Sequence, residues 1–170
     1  MIGDADKLGD SDLFDDVTHP TEHGLIIRKL AAVKRESSCH EDEPQAKRFS
    51  FRDLYDVEAQ ITDLAPTART ELHRHSYEAL FYVISGTGYS MISVDAGETN
   101  RIEWQAGDLF ATPRGIWHQH ANGSSSKPAR LLEVTTAPLA KAWATHWLEK
   151  REQEFTASSS RSRRPEQCGP

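Results

Sequence analysis

The apolar positions of this chain change rhythm along its length, and each rhythm predicts a different kind of element. From residue 57 they follow the two-residue period of a pleated strand. Val57, Ala59 and Ile61 alternate with polar neighbours, and Pro66 closes the run. Residues 80–84 form an unbroken apolar run, as in a strand buried on both faces. Shorter strand-like runs follow at 89–94, 101–104, 109–112, 118–121 and 130–136, separated by turns rich in Gly, Pro and Asp. Many short strands with such punctuation predict an all-β sandwich or barrel over residues 56–137. After Pro138 the period widens. Leu139, Ala142, Trp143, Trp147 and Leu148 share one helical face, which predicts a C-terminal helix over 138–155 with Pro138 in its first turn. Ahead of the barrel, Leu25, Ile26, Lys29, Leu30 and Val33 stand at helical spacing. They predict a short N-terminal helix inside a helical and looped extension over 21–55. Phe49, Phe51, Leu54 and Tyr55 in that extension suggest an arm, or a turn of helix, lying across the core.

The flanks differ in composition. Residues 1–20 are rich in Asp and Gly and read as a disordered acidic arm; residues 156–170 are rich in Ser, Arg and Pro and read as a disordered tail. One domain with appendages suits 170 residues. The apolar fraction of 37% and mean hydropathy of -0.63 place the core in the middle of the chain only. A net charge of -6 argues against a general nucleic-acid binder. No apolar run is long enough to span a bilayer, and the acidic start lacks the order of a secretory signal. A soluble, cytoplasmic protein is expected. Cys39 and Cys168 lie in polar stretches without metal-site spacing and read as free thiols.

The candidate chemistry lies in two segments, His73-Arg74-His75 and Trp117-His118-Gln119-His120. Side chains alternate across a strand, so His73 and His75 point to one side, one pleat repeat apart. His118 would join them from a neighbouring strand. Three imidazoles on one side of an ion leave its other side open, which marks a catalytic rather than a structural site. Such a set accepts iron, manganese, nickel or zinc. His120 shares the parity of His118, and Tyr77 and Phe81 share that of His73 and His75. His120 and Tyr77 are candidate catalytic groups, and Phe81, Trp117 and Gln119 candidate substrate contacts. Glu78 has the wrong parity for a ligand and reads as an outward carboxylate. Arg69, Arg114 and Arg130 read as surface charges, and His19, His23, His40 and His146 as surface histidines.

The spacing resembles the cupin superfamily. Gly107, Pro113, Gly115, His118 and Asn122 match that family's second motif, G-x5-P-x-G-x2-H-x3-N, in full. His73, His75 and Gly86 match its first motif, whose glutamate position falls here on Ala79. The pairing of His-Arg-His with Ala79-Leu80, and the Trp-His-Gln-His run, are similar to the gentisate branch of ring-cleaving dioxygenases. That branch uses a three-histidine iron(II) centre without the glutamate. The resemblance covers about residues 57–134. It implies a single cupin (jelly-roll) barrel, iron(II) on His73, His75 and His118, and a small, hydroxylated aromatic acid as substrate. Barrel edges and the outward apolar residues Leu80, Tyr82 and Ile84 suggest a homodimer, as is common among cupins, and packing by the flanking helices would explain those residues as well. Two other classes fit the same residues. One is a metal-dependent isomerase or lyase with Tyr77 or His120 as acid/base; the other is a binding or sensing module without turnover.

Overall fold

The computed structural model describes residues 21–24, 26–27, 29–33, 45–51, 54–95 and 98–151; the arm read over 1–20 and the tail read over 156–170 lie outside them. The strands are β1 (Thr21–Gly24), β2 (Gln45–Phe51), β3 (Glu58–Leu64), β4 (Leu72–His75), β5 (Ala79–Ser85), β6 (Thr87–Asp95), β7 (Glu98–Gln105), β8 (Leu109–Thr112), β9 (Trp117–Asn122), β10 (Ala129–Thr135) and β11 (Leu148–Arg151). One short helix, α1 (Ala137–Ala142), follows β10. Two sheets result, with strand orders β1-β2-β3-β10-β5-β8 and β11-β4-β9-β6-β7. The expected all-β barrel is present. The main core lies between the sheets, where Leu64, Ala79, Phe81, Val83, Ala129 and Leu131 of the first meet Trp104 of the second.

Alternation decides which side chains enter that core. In β5, Ala79, Phe81 and Val83 are buried, while Leu80 and Tyr82 are 43% and 42% exposed. The run 80–84 is therefore not buried on both faces. Each sheet has one neighbour to pack against, so half of an apolar strand must find other cover. Ile84 finds it in a second cluster on the outer face, with Phe49, Ala59, Ile61, Leu132 and Val134. Ile27, Leu30 and Val33 lie over that cluster.

The two flanking helices differ from expectation. Residues 21–24 are a strand parallel to β2, and residues 30–32 are a single 3-10 turn. The spacing of Leu25 to Val33 suits any segment laid across an apolar face, and the exposed edge of β2 supplies hydrogen bonds that a strand can use. Phe49 and Phe51 belong to β2 itself. The C-terminal helix ends at Ala142, with Ala144 in the left-handed region at φ 55°. The chain then turns back, and β11 pairs antiparallel with β4. The unpaired edge of β4 needs backbone partners, and Leu148–Arg151 satisfy it.

Glycine fits one tight packing point near the site. A Cβ at Gly88 would collide with the indole of Trp104 and the carbonyl of Ala121. Register places one row of residues across the inner face of the first sheet: Arg48, Gln60, Glu133, Phe81 and Phe110. The interior is thus polar at the β2–β3–β10 end and aromatic at the β5–β8 end.

Candidate metal centre

Backbone pairing assembles the histidines. His73 on β4 lies directly opposite His118 on β9, and His75 is two residues further along β4. The ring centroids are 4.2 Å apart for His73 and His118, 4.8 Å for His75 and His118, and 5.7 Å for His73 and His75. One ligand nitrogen from each lies within 4.8 Å of the other two. Gly115 ties the two segments together, its N–H donating to the His75 carbonyl at 2.7 Å. At φ 74° that position suits glycine.

Each of the three rings is oriented by its outer nitrogen. The Nδ1–H of His73 donates to the Glu71 carbonyl at 2.8 Å, that of His75 to Tyr77 at 2.7 Å, and that of His118 to Ile116 at 2.8 Å. Those bonds fix the tautomer and turn each Nε2 lone pair inward. The Nε2 atoms of His75 and His118 are buried without a hydrogen-bond partner among the described residues. Two orphaned lone pairs on neighbouring neutral imidazoles are costly unless something accepts them, and a divalent cation is what they suit. Electrostatics agree. Burial holds His73 below its ordinary value, lowers His75 to about 4 and lowers His118 to about 3, with neighbouring imidazoles adding to the last two. All three are neutral near pH 7, as ligation requires.

Other expected site residues fall in different places. His120 faces the interior, with Phe81 at 4.5 Å and Phe110 at 5.7 Å between centroids, and burial holds it well below its ordinary value. Its Nε2 is also buried without a partner. Tyr77 stacks flat on His75 at 4.0 Å and on His146 at 5.5 Å, so His146 joins the site's rim instead of lying alone at the surface. Phe81 stacks on Phe110 at 5.0 Å, and both rings lie beside His120. Trp117 and Gln119 have the opposite parity to His118. The Trp117 ring takes the guanidinium groups of Arg74 at 4.9 Å and Arg151 at 4.1 Å. Gln119 donates to the Thr70 carbonyl at 2.8 Å. Glu78 turns outward to Arg114 at 3.4 Å and to Thr136.

Arg130 is structural rather than a simple surface charge. It forms a two-pronged pair with Asp63 at 2.7 Å and donates to the carbonyls of Leu30, Ala31 and Val33. Asn122 has a turn-tying role, donating to Leu64, Ala65 and Lys127 carbonyls while accepting from Ser124 N–H.

Sequence reasoning missed three interior residues. Ser90, fully buried, lies 2.7 Å from His120 Nδ1. Thr112, inward on β8 beyond Phe110, has a buried hydroxyl without a partner. The Glu133 carboxyl is pushed up to about 7, mainly by burial and then by Glu58, against the pull of Arg48. Strand parity could have flagged all three; only the pairing of strands shows which cavity they enter.

The cupin-domain family model matches residues 60–135. The matched residues are those of the barrel. The chain is 33% identical to 5-aminosalicylate 1,2-dioxygenase of Comamonas sp over 94 residues, covering 55% of this chain and 22% of that protein. It is 36% identical to gentisate 1,2 dioxygenase 1 of Aquipseudomonas alcaligenes over 87 residues, 51% of this chain and 22% of that one. The matched stretch is thus about a fifth of the length of these relatives. Salicylate 1,2-dioxygenase from Pseudaminobacter salicylatoxidans superposes with a TM-score of 0.57 at 21% identity, over 66% of this chain and 33% of that one. Among the described residues, no helix is long and apolar enough to cross a membrane.

Proposed function

We propose that this cupin is a non-haem iron(II) dioxygenase acting on a small, hydroxylated aromatic acid, with the metal on His73, His75 and His118. The observation that carries this reading is the clustering of three imidazoles whose ligand nitrogens lie within 4.8 Å of one another, with the Nε2 atoms of His75 and His118 buried without a partner among the described residues. The dioxygenase relatives direct the choice of reaction. Iron(II), when bound, supplies a meeting place for substrate oxygens and dioxygen and passes electrons between them.

The chain's own residues do the rest. Nδ1–H bonds to backbone carbonyls hold the three rings so that no reorganisation is needed on ligation. Phe81 and Phe110 form an aromatic wall suited to a flat ring and keep water from the chamber. His120 Nε2 and the Thr112 hydroxyl are polar atoms that a hydroxyl or carboxylate of the substrate would satisfy. Tyr77, stacked on His75, serves to brace that ligand at the rim. A cytoplasmic homodimer is the proposed form; Leu80, Tyr82 and Leu109, exposed together on the outer face of β5 and β8, support self-association.

The test is metal analysis on anaerobically purified protein, beside His118→Ala, followed by oxygen uptake with gentisate, salicylate and 5-aminosalicylate. Roughly one iron per chain, lost in the variant, with oxygen consumed only by the metal-loaded protein, is the expected outcome. Turnover undiminished after chelation would overturn it. Zinc or nickel with turnover but no oxygen uptake would replace it with an isomerase or lyase.

A further inference from the structure

Among the described residues the interior holds four imidazoles, but only three of them share one arrangement. In His73, His75 and His118, Nδ1 meets a backbone carbonyl and must carry the proton. In His120, Nδ1 meets the hydroxyl of Ser90 at 2.7 Å, and a hydroxyl can either donate or accept. Trp104 settles which. Its Nε1–H can only donate, and it donates to the same Ser90 oxygen at 3.0 Å. Ser90 is fully buried, and these two bonds are its side-chain partners among the described residues.

If His120 carried its proton on Nδ1, the Ser90 oxygen would accept twice and its own hydrogen would have nowhere to go. A buried hydroxyl hydrogen without an acceptor is penalised by its lost solvation. If Ser90 instead donates to Nδ1, every atom of the Trp104–Ser90–His120 chain is satisfied. The proton of His120 then sits on Nε2, the atom buried without a partner beside Phe81 and Phe110.

We infer that Ser90 and Trp104 are positioning residues that hold His120 in the Nε2–H tautomer, opposite to that of the three metal-facing imidazoles. In that state His120 has no lone pair to offer the metal. It presents a hydrogen-bond donor to an acceptor oxygen bound beside the metal, such as a carboxylate or phenolate. The inference rests on the site reading above for its setting, but not on turnover. It explains why a chain with four interior imidazoles makes a three-nitrogen centre. Gly88 contributes by leaving room for the indole that directs the hydroxyl.

The tautomer can be read directly. Long-range ring proton–nitrogen correlation spectra would be recorded on the full chain carrying nitrogen-labelled histidine, both metal-free and loaded with zinc(II) as a diamagnetic probe. His120 should show a protonated Nε2 and a bare Nδ1, with the reverse pattern at His73, His75 and His118. In Ser90→Ala that pattern should be lost and an Nδ1–H form should appear. Trp104→Phe, which leaves the hydroxyl free to reverse, should give a mixture and stands in if Ser90→Ala does not fold. An Nδ1–H form in the wild type overturns the inference. So does a wild-type pattern retained in either folded variant. A correct tautomer with no oxygen uptake on any aromatic acid would sink the dioxygenase reading alone.

Discussion

Glu133 offers a quantitative test of how the barrel interior is built. Its carboxyl lies between Gln60, whose Nε2–H donates to it at 3.4 Å, and the apolar wall that begins at Phe81. Burial and the neighbouring Glu58 raise it from 4.5 to about 7. The folded value lies above the unfolded one, so the native state binds this proton more tightly. The contribution to stability is complete below about pH 4.5 and is lost as pH rises through 7. Ionising the carboxyl fully in the folded protein therefore costs about 3 kcal/mol. Glu133→Gln keeps the shape and an acceptor for Gln60 while removing the charge. In urea titrations, wild type and variant should lie within about 1 kcal/mol of each other near pH 5. Near pH 8.5 the variant should be the more stable by about 3 kcal/mol. Taking the difference between the two proteins cancels the histidines, which titrate alike in both. A difference that stays constant across this range would refute the reasoning, because it would mean that Glu133 ionises in the fold as it does in water.

Three further outcomes follow from the same geometry. The folded values of His75, about 4, and His118, about 3, lie below the ordinary 6.5. In a Glu133→Gln background, which removes the opposing carboxyl, metal-free protein should therefore lose stability as pH falls from above 6.5, with melting temperature dropping between about pH 7.5 and pH 5; a flat profile there would mean that the rings are solvated. Gly88→Ala should cost roughly 1–3 kcal/mol by forcing Trp104 or β9 to move, read by chemical denaturation. Asp63→Ala strands Arg130 beside β3 and should cost roughly 3 kcal/mol, with faster proteolysis of the covering segment at residues 30–33 as its local sign.

The clustering of His73, His75 and His118 was legible in the sequence because a strand has a strict period of two. One parity rule placed His73, His75, His118 and His120 on a single side. The same rule puts Trp117 and Gln119 on the opposite side. The flanks were misread for a physical reason. An amphipathic pattern says that one side of a segment is covered, and it does not say whether the backbone hydrogen-bonds within itself or to a neighbour. Leu148–Arg151 carry helix-compatible residues, yet the free edge of β4 captures them as a strand. Arg74 then secures them by pairing with Glu149 at 2.7 Å.

What the sequence by itself determined is the barrel, its turns and the clustering of three histidines on one side, since these depend on local period. What only the tertiary structure decided is the surroundings of the site. Arg48, Gln60, Glu133, Phe81 and Phe110 come from five strands and become one row only through register. The proton on His120 depends on Ser90 and Trp104, which reach it from two other strands. Such long-range pairings leave no local period in the chain, because each residue looks ordinary until its neighbour across the sheet is known.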